Sequence, residues 1–126
     1  MNAKVEPGRD SEAVLYEAPD HYSNDEVTVG TAADLAANTV VGKITSSGKY
    51  VAYNPGASDG SETAAGMIRV AAAAAAADVV GVRAVVRHAR LNRAALQWGA
   101  GVTTAQHRTD AIADLKALGV LVTDAH

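Results

Sequence analysis

Four histidines, His21, His88, His107 and His126, are the side chains here whose proton affinity suits acid–base or metal chemistry near neutral pH. No two of them stand at a metal-pair spacing, and no His-Glu-x-x-His run occurs. Cysteine is absent, which removes disulfides, thiolate nucleophiles, iron–sulfur clusters and thiolate zinc sites. Asp59 and Glu62 lie in a loop of turn formers that lacks the Asp-x-Asp-x-Asp ladder of a calcium site, so Asp59 reads as a turn cap. Asp110 and Asp114 have helical i, i+4 spacing, which suits a solvated face better than a carboxylate pair. Gly42-Lys43-Ile44-Thr45 has part of a phosphate loop's lettering. The earlier glycine would fall at Ala37 and Thr45 is one place late, so a strand with an exposed lysine is the better reading. No Gly-x-Ser-x-Gly elbow is present. These residues imply no catalytic site, no cofactor and no metal. An alternative is a small ligand-binding or enzymatic domain that uses His88 with Arg83, Arg87 and Arg90.

Those arginines, with Arg93, form the one basic cluster. It interleaves with Val and Ala and lacks neighbouring aromatics for base stacking, and the net charge is −3, so nucleic acid is not an expected partner. The chain has 126 residues, the size of one domain. It has 28 Ala and 16 Val but no Phe, a small-side-chain core that a partner or oligomer would help to stabilise. No apolar stretch approaches the roughly 20 residues of a membrane span, and the first residues lack a signal-like apolar core, so no membrane association is expected.

Charge and composition divide the chain. Residues 1–26 hold seven acids and two bases, with Pro7, Gly8, Pro19 and a single apolar cluster, Val14-Leu15-Tyr16. They read as an extended N-terminal arm ahead of a body at 27–126. In the body, Val27–Val29, Thr39–Thr45, Tyr50–Tyr53, Gly66–Val70, Val82–Leu91 and Val120–Val122 read as strands. Along 82–91, alternation puts Val82, Ala84 and Val86 on one face and Arg83, Val85 and Arg87 on the other. The seven alanines at 71–77 favour a helix by propensity, but their β-like flanks place them in a strand–loop–strand setting. Asn92–Gln97 reads as a short helical turn. The one clear helix starts at an N-cap on Thr103 or Thr104, carries Ala111, Ile112, Leu115 and Leu118 on one stripe, and stops at Gly119. The fold class is α+β: a small, mostly-β domain with one helix in its C-terminal half and an extended N-terminal arm.

Several segments, in order, resemble the lambda-type head decoration (capsid cement) proteins of tailed bacteriophages. They are Val27–Val29, Asn38–Thr45, Ser47–Tyr53, Ala57–Gly66, Val85–Arg87, Leu91–Trp98 and Ala105–Val120. The sequence departs from the family pattern in a few places. Ser23-Asn24-Asp25 stands where Ser-Arg-Glu is common, His88 where glycine is usual, Gly99 where proline is usual, and polyalanine where the family is more polar. The resemblance implies a non-enzymatic homotrimer made in the host cytoplasm. It would sit on the outer surface of the expanded virion head, clamping the major capsid protein against internal DNA pressure. It also implies that the arm engages the shell. Val14, Leu15 and Tyr16, with Asp25, Glu26, Val27, Thr28 and Val29, are then the expected capsid-binding residues, suited to add to a coat strand by backbone pairing. Trp98 is expected at a subunit or shell interface. A host-directed module displayed on the virion is a third reading.

Overall fold

The computed structural model describes residues 14–17 and 23–124; the chain's first thirteen residues, residues 18–22 and the last two lie outside the described residues. The elements are β1 (Val14–Glu17), β2 (Asn24–Val29), β3 (Val40–Lys43), β4 (Tyr50–Ala52), β5 (Ala64–Ile68), β6 (Val79–Val85), β7 (Ala89–Asn92), a 3-10 turn (Arg93–Ala95), α1 (Ala105–Ala117) and β8 (Val120–Thr123). Strands β2-β4-β3-β5-β6 close into a barrel, while β1-β7-β8 form a separate sheet. Among the described residues the fold is thus the mostly-β architecture with one α-helix in the C-terminal half that the sequence implies.

Consecutive apolar pairs in the sequence mark a wall covered on both sides. Val41, Ile68 and Val86 pack in one cluster with Val27, Val29, Val82 and Ala84, drawn from strands around the barrel, which is therefore its interior. Their neighbours Val40, Met67 and Val85 pack in a second cluster with Leu91, Ala111, Leu115 and Val120, the layer under α1. This corrects the simple alternation along 82–91. Val85 is fully buried rather than sharing a solvent face with Arg83 and Arg87, because α1 and β7 cover that side of the barrel. The strand also breaks. β6 ends at Val85, and β7 begins at Ala89 in the other sheet.

A five-stranded barrel leaves little internal room, and this explains the absence of Phe. Part of the filling comes from the polyalanine run. Its first part is extended and Ala75–Ala77 bend, in keeping with a strand–loop–strand setting: Leu35 and Ala72 exchange backbone hydrogen bonds at 2.8 and 2.9 Å, and Ala32 N–H donates to Ala74 O at 3.0 Å. Ala72 and Ala74 are buried in the barrel cluster while Ala71, Ala73 and Ala75 are exposed, a period of two. Two carboxylates tie this strap down. Asp34 accepts from Ala75 N–H at 3.0 Å, and Asp78 accepts from both Thr31 N–H and Thr31 Oγ1.

The helix follows its local signals. Thr104 is the N-cap and accepts from His107 N–H at 3.2 Å, and Gly119 takes φ +81° just past the C-terminus. Ala111 and Leu115 are buried, Ile112 is half-buried, and Leu118 is partly exposed at the C-cap. The solvated-face reading of Asp114 is corrected: its Oδ2 accepts from Ala64 N–H at 3.0 Å and ties α1 to the start of β5.

The corner between the two sheets is held by Ser23. Its carbonyl accepts from Val86 N–H at 2.8 Å, and its Oγ donates to His88 O at 2.7 Å. The barrel also starts earlier than charge and composition indicate. Asn24, Asp25 and Glu26 pair with Val85, Ala84 and Arg83, so they belong to β2. Their polarity marks an exposed rim, and side-chain composition does not report backbone pairing.

Candidate functional site

Among the expected contact residues, Val14, Leu15 and Tyr16 lie on β1, at the edge of the three-stranded sheet. β1 pairs antiparallel with β7 through Val14–Leu91, Tyr16–Arg90 and Glu17–Ala89, with an irregularity between Val14 and Tyr16. Val14 packs against the core, whereas Tyr16 is 56% exposed. Arg90 in turn pairs with Leu121 on β8, which is 46% exposed. Tyr16, Arg90 and Leu121 therefore form one row across the outer sheet face. A mainly apolar groove of about 610 Å³ runs along it, also lined by Leu15 and His88. Sequence reasoning missed Arg90 and Leu121 as neighbours of the arm. Their alternation out of a buried strand was the available signal, but strand order was not.

The second expected segment, Asp25–Val29, is built differently. Val27 and Val29 direct their side chains into the barrel and are buried, while Asp25 and Glu26 are exposed and Thr28 is half-buried. β2 meets β4 only at Val29–Tyr50, so the earlier part of β2 borders an open polar groove of about 550 Å³. Asp25 and Glu26 form one wall, Lys43 and Lys49 the other. Tyr50, in the same groove, has its phenol pushed above its ordinary value, first by burial and then by the Asp25 carboxylate. The two segments belong to different sheets, β1 to the small sheet and β2 to the barrel wall, and meet end to end where Asn24 Nδ2 donates to Glu17 Oε1 at 2.6 Å. Trp98 is half-buried and lines a separate groove of about 370 Å³ with Arg93, Arg108 and Ile112.

A family model for the bacteriophage lambda head decoration protein D matches residues 3–120 of the chain. The chain belongs to that family. No curated protein matches it closely. It is a phage head decoration protein, a structural component associated with the virion capsid, as the resemblance implies. The match takes in β1 to β7 and α1 and ends at the first residue of β8.

On this decoration protein the basic cluster does not form one strand. Arg83 stands on β6, Arg87 in the turn after it, and Arg90 on β7. Arg87 pairs with Asp25 at 2.8 Å and Arg93 with Asp124 at 3.2 Å, so both act in local ties. His88 sits in that turn with φ +48°, a backbone that favours the glycine usual in the family. His107 Nδ1 accepts from Thr103 N–H at 3.2 Å, which makes it part of the helix start. Asp59 caps its turn as expected. Hydrogen bonds from the Ser61 hydroxyl and N–H hold its carboxyl below the usual range. Among the described residues no three His, Asp or Glu side chains group as metal ligands.

Proposed function

We propose that this chain cements the phage head as a homotrimer. It binds the outer surface of the expanded shell through its arm and resists internal DNA pressure. The family match across residues 3–120 carries the decoration role. The geometry of β1 supports the arm's part. Among the described residues, a short edge strand with an exposed Tyr16 beside Arg90 and Leu121 offers a backbone edge and an apolar face to a coat strand. Val14 anchors the strand, and Leu15 and Tyr16 face outward. In the second segment Asp25, Glu26 and Thr28 supply side chains. Val27 and Val29 contribute backbone alone, since their side chains fill the barrel. Trp98 sits near a subunit or shell boundary. Three arms on one trimer bind together, which offsets the ordering each arm undergoes.

The cementing role is tested by heating DNA-filled heads with and without the purified chain. Heads carrying it should retain their DNA to a higher temperature; equal release would refute the stabilising role.

A further inference from the structure

The inner strand of the arm is fastened to the barrel by one guanidinium. Arg69 follows directly on β5, and its N–H donates to Arg83 O at 2.8 Å, so its backbone is fixed to the barrel rim. Its Nη1 donates to both carboxylate oxygens of Glu17, at 3.0 and 3.1 Å, and to Asn24 Oδ1 at 3.0 Å. Asn24 Nδ2 completes the triangle by donating to Glu17 Oε1 at 2.6 Å. Glu17 ends β1 and Asn24 begins β2. The end of β1 and the start of β2 are therefore joined through Arg69.

The cluster differs from a surface ion pair. The Arg69 side chain is only 10% exposed, against 34% for Glu17. An exposed pair contributes little, but one whose guanidinium is withdrawn from water is sensitive to loss of a partner, because part of the charge compensation goes with it. β1 also needs such a fastening. It is four residues long, among the described residues pairs within its sheet on one side only, and is irregular between Val14 and Tyr16.

We propose that Arg69 is the positioning residue of the arm: it latches β1 to the body and so fixes where Val14–Tyr16 meet the coat lattice. This rests on the arm-mediated binding proposed above. A fixed contact strand lowers the ordering needed at docking and raises the effective concentration of the arm at its site.

The test uses the full chain with Arg69→Met, Glu17→Gln and Arg69→Lys, read by hydrogen exchange on the free protein and by cosedimentation with expanded heads. Glu17→Gln lies outside the barrel, so it tests the latch even where Arg69→Met weakens the body. In both of these variants the amides of β1 should exchange about tenfold faster or more, with those of β8 unchanged. Head affinity should fall by a similar factor. Arg69→Lys keeps the charge but lacks the planar fork, and should fall between. Unchanged β1 exchange in both Arg69→Met and Glu17→Gln overturns the latch. So does faster exchange with undiminished head affinity, since β1 would then position nothing. If the unaltered chain fails to bind heads, the arm-binding reading fails, while exchange alone still decides whether the latch exists.

Discussion

His88 holds a left-handed backbone at φ +48° where β6 turns into β7, and such a conformation costs a side-chain-bearing residue of order 1 kcal/mol. His88→Gly removes that strain while keeping the carbonyl that accepts from Ser23 Oγ. Thermal unfolding should register a gain of about 1 kcal/mol; a loss would mean the imidazole's own contacts outweigh the strain. Gly42 is the opposite case. A Cβ there would lie 2.6 Å from Ser61 O, inside the wall between β3 and the loop before β5. Gly42→Ala should destabilise by about 1–3 kcal/mol in the same measurement, since backbone must shift to admit the methyl group.

At the scale of elements, the polyalanine strap depends on Asp78. Its carboxylate takes the Lys49 ammonium at 2.6 Å and two hydrogen bonds from Thr31. Those bonds, Lys49 first, hold its pKa at about 2, below the ordinary 3.8. A group with a depressed folded pKa stabilises the fold above its ordinary value and loses that contribution as pH falls toward the folded one. The unaltered chain should therefore lose more stability between pH 4 and pH 2 than Asp78→Asn does. Parallel acid titrations of the two should give curves that converge; curves of equal slope would remove Asp78 from the strap's support.

Several elements were legible because their signals are local. Thr104 and Gly119 bracket α1 with cap chemistry, and Val120–Val122 carry their own β-propensity. The extended strap was legible from its flanks against the propensity of alanine. Val85 was not, because its burial depends on a helix twenty residues further on covering the second side of the wall. Nor was the Glu17–Arg69–Asn24 cluster, which joins residues 52 apart in the chain. Charge placed the arm boundary after Glu26, but pairing to β6 set the start of the barrel at Asn24. Of the contact segments, the apolar cluster at Val14–Tyr16 was legible as a unit. Its row with Arg90 and Leu121 needed the strand order.

At the scale of the whole molecule, two modest clusters of small side chains share one barrel wall. A core so built gains less from burial per residue than one with large aromatics. Binding to a lattice or to other copies stabilises such a body by mass action. The free chain should sediment as a trimer, or become one on the shell. Tyr16→Ser, at an exposed position of β1, leaves the latch and the barrel in place, so that variant should keep its unfolding midpoint while losing head affinity. Truncation through Glu26 should instead damage the barrel, because it deletes half of β2 and Ser23.

The most direct measurement is cosedimentation of the purified full chain with expanded and with unexpanded phage heads. Saturable binding to expanded heads alone, weakened by Tyr16→Ser, is the expected result. Equal binding to both forms, or full binding by that variant, would contradict an arm that grips the expanded lattice.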